Sequence, residues 1–155
     1  RSIRTHRGRS GGTGRPMIFW DSSALTPLLV TEADSELREA QLQANPQMLV
    51  WYGTRAEIES ALSRRRREGS LSPTAEGAAR KRLTRIEGAW AEVAPTRQVR
   101  DRSLRLLRIH PLRAGDAFQL AAALVACGEN PVGWSFRTAD LRLRTAAALE
   151  GFNGT

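Results

Sequence analysis

Three short apolar runs, each followed by a stretch of helical periodicity, constrain the fold of this chain more than any other feature. The runs cover residues 17–20, 48–52 and 132–136, and each is too short to be a buried helix. Apolar runs of this length are typical of strands buried on both faces of a parallel sheet. A last strand beginning at Phe152 is expected to be short or missing, since the sequence ends at Thr155. Strands that alternate with helices predict an α/β domain with a parallel sheet.

The segments between these strands carry apolar residues at helical spacing. Helices are predicted at residues 22–29, 34–44, 54–67, 73–90, 99–109, 113–127 and 140–149. The second of these segments is polar, which predicts a surface helix with Leu37, Ala40 and Leu42 facing inward. In the fifth, Val99, Leu104 and Leu107 are expected to face the core, with Ile109 as a further candidate.

The first sixteen residues differ from the rest of the chain. They contain five arginines and no acidic residue, and they are rich in Gly, Ser and Thr. We predict that residues 1–16 are a disordered leader or tag and that residues 17–155 form a single domain. The whole chain has a net charge of +8, but the part from Met17 onward has 19 basic and 16 acidic residues, a net charge of +3. That charge is compatible with RNA binding and does not by itself indicate it.

The single cysteine and the lengths of the apolar runs limit the class of protein further. Cys127 has no partner for a disulfide within the chain, and its apolar neighbours favour a small core residue over a nucleophile. A reducing, cytoplasmic location is the simplest interpretation. No apolar stretch reaches the ~20 residues that a membrane-spanning helix needs, so no membrane association is expected.

Four of the 16 acidic residues stand where a strand meets a helix or where a helix begins: Asp21, Glu57, Asp116 and Asp140. Asp21 and Asp140 could instead serve as helix caps. Glu57 could simply interact favourably with the dipole of its helix, and Asp116 could pair with Arg113. In a parallel sheet, however, such positions converge on one edge, which is where ligands bind. We therefore predict that the four carboxylates lie together.

Four carboxylates at one edge would repel one another. Two like charges ~4 Å apart repel by roughly 4 kcal/mol at an effective dielectric of 20. Such a cluster must either take up protons or bind a cation. Oxygen ligands select hard ions, Mg²⁺ or Mn²⁺, and the sequence has no group of cysteines and histidines that would favour zinc. The predicted site is therefore a divalent metal centre.

The same segments resemble the motifs of PIN domains, and in particular of the VapC-like toxins of VapBC toxin–antitoxin pairs. Met17-Ile-Phe-Trp-Asp-Ser-Ser-Ala-Leu resembles the opening strand with the first acid, and Thr54-Arg-Ala-Glu-Ile-Glu-Ser-Ala-Leu resembles the second motif. Leu112-Arg-Ala-Gly-Asp-Ala-Phe-Gln-Leu-Ala resembles the third motif, the most specific, and Phe136-Arg-Thr-Ala-Asp-Leu-Arg-Leu the fourth. The resemblance extends from Met17 to about Phe152.

The resemblance implies a three-layer α/β/α sandwich with a central parallel sheet of four to five short strands. It implies that Asp21 and Asp116 ligate the ion directly. Glu57 would bind a second ion or orient water, and Asp140 would act directly or through water. All four residues are therefore predicted as both metal-binding and catalytic.

Several further residues are expected to assist this site. Thr138 stands where the family often has a hydroxyl that lines the site, and Ser22, next to the first acid, is expected to support it as well. Arg64, Arg65 and Arg113 are candidates for contact with an RNA backbone. Arginines of this kind also form ordinary solvated helix faces.

The function implied is that of a Mg²⁺- or Mn²⁺-dependent endoribonuclease, the toxin of a VapBC pair. The ion would lower the pKa of a water that attacks the phosphodiester in line, leaving a 5′-phosphate and a 3′-hydroxyl. Cleavage by paired histidines is disfavoured, because His6 and His110 are the only histidines and His6 belongs to the leader. The partners implied are RNA, a cognate antitoxin protein and a second copy in a homodimer.

Other functions stay open from the residues alone. One is a PIN-type RNA-processing nuclease that is not a toxin. Another is a nucleic-acid-binding module without catalysis, in which the acids only cap helices. A phosphatase of the aspartyl-phosphate type is disfavoured because the first motif lacks Asp-x-Asp, and the absence of a glycine-rich phosphate loop disfavours an NTPase.

Overall fold

The computed structural model describes residues 17–154, so the predicted leader at 1–16 lies outside the described residues. Within the described part there are five strands: β1 (Ile18–Trp20), β2 (Leu49–Trp51), β3 (Ala91–Val93), β4 (Ser135–Arg137) and β5 (Asn153–Gly154). The helices of the same part are α1 (Ser22–Leu29), α2 (Ser35–Ala44), α3 (Thr54–Arg67), α4 (Pro73–Glu87), α5 (Arg97–Ile109), α6 (Ala114–Ala126) and α7 (Leu141–Leu149). None of these helices is long and apolar enough to cross a membrane.

The sheet is parallel throughout, with the strand order β3-β2-β1-β4-β5. The chain runs outward from β1 to β3 and then returns to the opposite side of β1 with β4. This reversal puts a topological switch point between β1 and β4, and open α/β sheets bind ligands outside the carboxyl ends of the strands at such a point.

Helices cover both faces of the sheet, because successive strand residues are apolar on both sides. Phe19 and Phe136 stack with ring centroids 5.2 Å apart and pack with α5, α6 and α7. Trp20 and Val50 face the other way and pack with α1, α3 and α4. These are the three layers that the resemblance implied, so the predicted fold class is confirmed.

The helices begin where the sequence offers a side-chain cap. Asp21 accepts a hydrogen bond from the Ser23 amide at the start of α1, and Asp140 caps α7. Ser72 caps α4, with Pro73 at the first helical position, where a missing N–H costs nothing. Two of the four candidate acids thus also fix the direction in which their helices leave the sheet.

The helix predicted over residues 73–90 is longer than the helix in the structure. Residues 73–90 were predicted as one helix, but α4 ends at Glu87 and residues Ala91–Val93 form the edge strand β3. Three residues that include a glutamate carry too weak a pattern to indicate a strand. Their pairing with β2 is a tertiary contact, which local periodicity does not reveal.

The predicted inner faces of two helices are right only in part. On α2, Leu42 packs against the core, but Leu37 is 50% exposed and Arg38 is buried instead. On α5, Val99 is buried as predicted, whereas Leu104, Leu107 and Ile109 are exposed and Ser103 and Leu106 are buried. A polar Ser103 at a buried position, where its hydroxyl donates to the Arg100 carbonyl, shifted the apparent apolar stripe.

Candidate active site

Asp21 forms the buried centre of the candidate site. It follows β1 directly, is 3% exposed, and its amide donates to the Arg137 carbonyl of β4 at 2.9 Å. Its Oδ2 accepts hydrogen bonds from the Ser23 hydroxyl and from the Thr138 hydroxyl, the latter at 2.9 Å. The carboxylate is therefore fixed at the junction of the two strands that border the switch point.

Glu57 is held beside Asp21 by two donors. The Ser22 hydroxyl donates to Glu57 Oε2 at 2.6 Å and lies 3.4 Å from Asp21 Oδ1, so it bridges the two carboxylates. Gln119 Nε2 also donates to Glu57 Oε2, at 3.1 Å. The neighbouring Glu59 lies on a different face of α3, where it pairs with arginines.

Asp116 lies in the first turn of α6 and borders two adjoining depressions of the surface. One, of about 560 Å³, is lined by Asp116 together with Ser22 and Glu57. The other, of about 670 Å³, is lined by Asp116 together with Asp140. Arg113 lines both of them. The structure thus brings Asp116 between Glu57 on one side and Asp140 on the other.

Asp140 combines capping with a place at the groove. Its side chain accepts from the Leu143 amide at 2.8 Å, and its own amide donates to Thr138 Oγ1 at 3.0 Å. The capping role considered from the sequence is therefore present. It does not remove Asp140 from the site, because the residue still lines the second depression.

The electrostatics of the candidate site reflect burial first and neighbouring negative charge second. Burial raises the pKa of Asp21, hydrogen bonds from Ser23 and Thr138 oppose that effect, and the charge of Glu57 adds to it. Burial also raises the pKa of Asp116, and the charges of Asp140 and Asp21 raise it further. Two of the four carboxyl groups thus bear a cost when ionised, which a nearby cation would reduce.

The donor set of the groove fits a hard divalent cation in its chemistry, since all four acidic groups supply oxygen. The four side chains are, however, spread apart. Among residues 17–154, no three acidic, histidine or cysteine side chains come close enough to form a ready-made metal site. Glu57 is restrained by its two donors, and one oxygen of Asp140 is engaged as a cap.

The three arginines expected to contact RNA surround the first depression. Arg64, Arg65 and Arg113 all line it. Arg65 is paired with Glu32, whereas Arg64 and Arg113 are exposed at its rim. A mixed rim of this kind could place guanidinium groups beside a phosphate backbone near the acids.

Two residues that hold the acids were missed in the sequence. Ser23 contacts Asp21, and Gln119 contacts Glu57. Gln119 is fully buried, and it lies three residues after Asp116 within an otherwise apolar helix. A lone polar residue at that spacing was the available signal, because a buried amide requires a partner.

Comparison with known proteins identifies the family. No model of a known protein family matches the chain. The chain is 32% identical over 139 residues, 88% of its length, to Ribonuclease VapC45 and to Ribonuclease VapC49 of Mycobacterium tuberculosis, covering 92% of each. It therefore belongs to the family of VapC ribonucleases, and the resemblance found in its motifs is confirmed.

A solved structure supports the same fold. The crystal structure of PAE2754 from Pyrobaculum aerophilum superposes with a TM-score of 0.63, over 92% of this chain and 92% of that one. The sequence identity of that pair is 18%, so the likeness concerns the fold alone.

Proposed function

We propose that the chain is a divalent-metal-dependent endoribonuclease and the toxin of a VapBC pair, acting on RNA in the cytoplasm. The observation that carries the proposal is the arrangement of Glu57, Asp116 and Asp140 around two adjoining depressions at the switch point. Asp21 is buried behind them, and the Ser22 hydroxyl links it to Glu57. Membership of a ribonuclease family gives this groove its reaction class. N-capping is observed for Asp21 and Asp140, whereas Asp116 is not the N-cap residue of its helix.

Asp21, Glu57, Asp116 and Asp140 would hold Mg²⁺ or Mn²⁺, which when bound lowers the pKa of a water and neutralises charge on phosphoryl oxygens. The chain itself supplies orientation. Thr138 and Ser23 fix the Asp21 carboxylate by donating to Oδ2. Ser22 and Gln119 fix Glu57 in the same way, so the first two acids keep one geometry with respect to each other.

The substrate backbone would lie along the rim beside Arg64 and Arg113. Both are exposed, whereas Arg65 has Glu32 as a partner and would contribute less. Arg113 borders both depressions, and on this proposal it would bind a phosphate next to the one being cleaved. A cognate antitoxin protein and a second copy of the chain are the proposed protein partners, as in the family that the motifs resemble.

The decisive experiment is incubation of the purified chain with total RNA, with and without Mn²⁺, followed by mapping of the cut ends. We expect cuts only with the ion, leaving 5′-phosphate and 3′-hydroxyl ends. Asp116→Asn should remove cleavage, and the matched Asp101→Asn variant, on the exposed side of α5, should retain it. RNA binding without any cleavage would favour a non-catalytic binding module. Cleavage in EDTA with 2′,3′-cyclic phosphate products would exclude the metal centre.

A further inference from the structure

Two arginines from different helices meet behind the candidate active site. Arg38 of α2 and Arg144 of α7 both donate to the backbone carbonyl of Thr138, at 3.1 and 3.2 Å. Arg38 is 1% exposed, and its other terminal nitrogen donates to Gln41 at 2.9 Å. A helix that is polar and exposed on its outer side thus inserts a guanidinium into the interior.

Burial of the Arg38 cation is costly, so stability alone does not account for it. Burial lowers the pKa of Arg38; the charges of Asp34 and Asp21 oppose this, and Arg144 adds to it. Within the described residues, Nε of Arg38 and Nε of Arg144 are buried without a hydrogen-bond partner. Replacing a whole buried ion pair by apolar side chains is often neutral or stabilising, so a buried guanidinium is weak evidence for a role in stability.

The residue that the two arginines hold is the one that joins two of the acids. The Thr138 hydroxyl donates to Asp21 Oδ2 at 2.9 Å and accepts from the Asp140 amide at 3.0 Å. Its carbonyl therefore binds the two guanidinium groups on one side, while its side chain contacts the acidic groove on the other. Movement of the Thr138 turn would displace both carboxylates.

We propose that Arg38 and Arg144 are positioning residues, which fix the Thr138 turn and through it set Asp21 and Asp140 for RNA cleavage. The inference rests on the proposed ribonuclease function. It assigns a catalytic consequence to α2, a helix that supplies no acid to the groove. A purely structural tether between α2 and α7 is the competing explanation.

The test compares Arg38→Met, Arg38→Lys and Arg144→Met with the control Glu39→Gln. Glu39 lies next to Arg38 on α2 and pairs with Arg82 of α4, so its replacement loosens the same helix without touching Thr138. Three quantities are measured: thermal stability, hydrogen exchange of the Asp140 amide by NMR, and kcat and KM for RNA cleavage.

Loss of a charged hydrogen bond to Thr138 should accelerate Asp140 exchange and reduce kcat by about tenfold in Arg38→Met, with KM changed by less than about twofold. The melting temperature should fall by too little to unfold the chain at the temperature of the assay. Arg38→Lys should recover part of the kcat, because an ammonium group still donates. Arg144→Met should act in the same direction, and Glu39→Gln should leave exchange and kcat as in the wild type.

Unchanged Asp140 exchange in both methionine variants would overturn the inference, whatever the wild type does to RNA. A parallel fall of stability and kcat, matched by Glu39→Gln, would reduce the arginines to a structural tether and overturn it equally. A wild-type chain that does not cleave RNA would defeat the proposed function. In that case, faster Asp140 exchange in the methionine variants would support only the claim that the arginines restrain the Thr138 turn. The claim that this restraint serves catalysis would be overturned.

Discussion

The hydroxyl of Thr138 donates a 2.9 Å hydrogen bond to Oδ2 of Asp21, across 117 positions of the sequence. The bond links the residues that follow β4 and β1, the two strands at the switch point. A charged acceptor makes it one of the stronger hydrogen bonds of the site. The first acid is therefore oriented by the loop that carries the fourth.

Removal of this hydroxyl should impair cleavage without unfolding the chain. Thr138→Val keeps the shape but leaves a buried carboxylate oxygen with one donor fewer, so we expect a loss of kcat of about tenfold to a hundredfold. Thr138→Ser, which keeps the hydroxyl, is the matched variant and should retain most of the activity. Single-turnover cleavage of RNA measures the effect, and equal rates for the valine and serine variants would contradict it.

Asp116→Asn should stabilise the metal-free chain as the pH rises. The folded-state pKa of Asp116 is raised, so the folded chain holds the proton more tightly than the unfolded chain does. The contribution of Asp116 to the free energy of unfolding is fully present below its pKa in the unfolded chain, about 4. It is lost as the pH rises through its pKa in the folded chain. In EDTA above that range, the variant should melt higher by about 1 to 4 °C.

The ion should reverse that order. Mn²⁺ should raise the melting temperature of the wild type more than that of Asp116→Asn, because the variant has lost a ligand. Asp101→Asn, whose carboxylate lies on the surface beside Arg100, should behave as the wild type in both buffers. An Asp116→Asn variant that melts below the wild type in EDTA would show that the carboxylate stabilises the metal-free fold.

Gln119 should matter for the rate of cleavage more than for RNA binding. Gln119→Leu removes one of two donors to Glu57 Oε2 and leaves Ser22 as the other. We expect a fall in kcat of about tenfold, with an unchanged dissociation constant for RNA in EDTA. The double variant Ser22→Ala, Gln119→Leu should lose an amount of activation free energy for cleavage that differs from the sum of the two single losses, because both side chains donate to the same oxygen. Strict additivity would indicate that Glu57 keeps its orientation by other means.

Arg113 and Arg64 should contribute through the phosphate backbone. Arg113→Gln and Arg64→Gln should each weaken RNA binding and reduce the slope of log K against log salt by about 0.7, the value expected for one phosphate contact on a single strand. Arg67→Gln is the control, since Arg67 is exposed further along α3 and lines neither depression. Fluorescence anisotropy with labelled RNA at several salt concentrations measures the slope. A slope unaffected by Arg113→Gln would place the RNA elsewhere.

Much of the fold was predictable because local patterns coincide with tertiary roles. The runs around β1 and β2 are apolar on both faces, and the sequence places an acid directly after β1 and another in the helix after β2. The parallel sheet, the membership of the VapC family and the existence of the described helices were predicted and are confirmed, although the fourth helix was predicted too long. The roles of the four acids in metal binding and catalysis stay predictions.

The features that escaped prediction depend on contacts between distant segments. Arg38 stands in a polar helix, where nothing local distinguishes a buried guanidinium from a solvated one, and its partner carbonyl is 100 positions away. The strand β3 exists because β2 offers it a free edge. Gln119 becomes significant only once α6 is placed against Glu57. In each case the deciding energy comes from packing, which periodicity does not encode.

The central place of β4 has a consequence for biosynthesis. Because β4 pairs directly with β1, the middle of the sheet stays incomplete until residues 135–137 have left the ribosome. Thr138 and Asp140 follow immediately, so Asp21 lacks its Thr138 partner until these residues have been synthesised. On the proposed function, a nascent chain that ends before Thr138 should not cleave RNA, because the hydrogen bond that orients Asp21 has not yet formed.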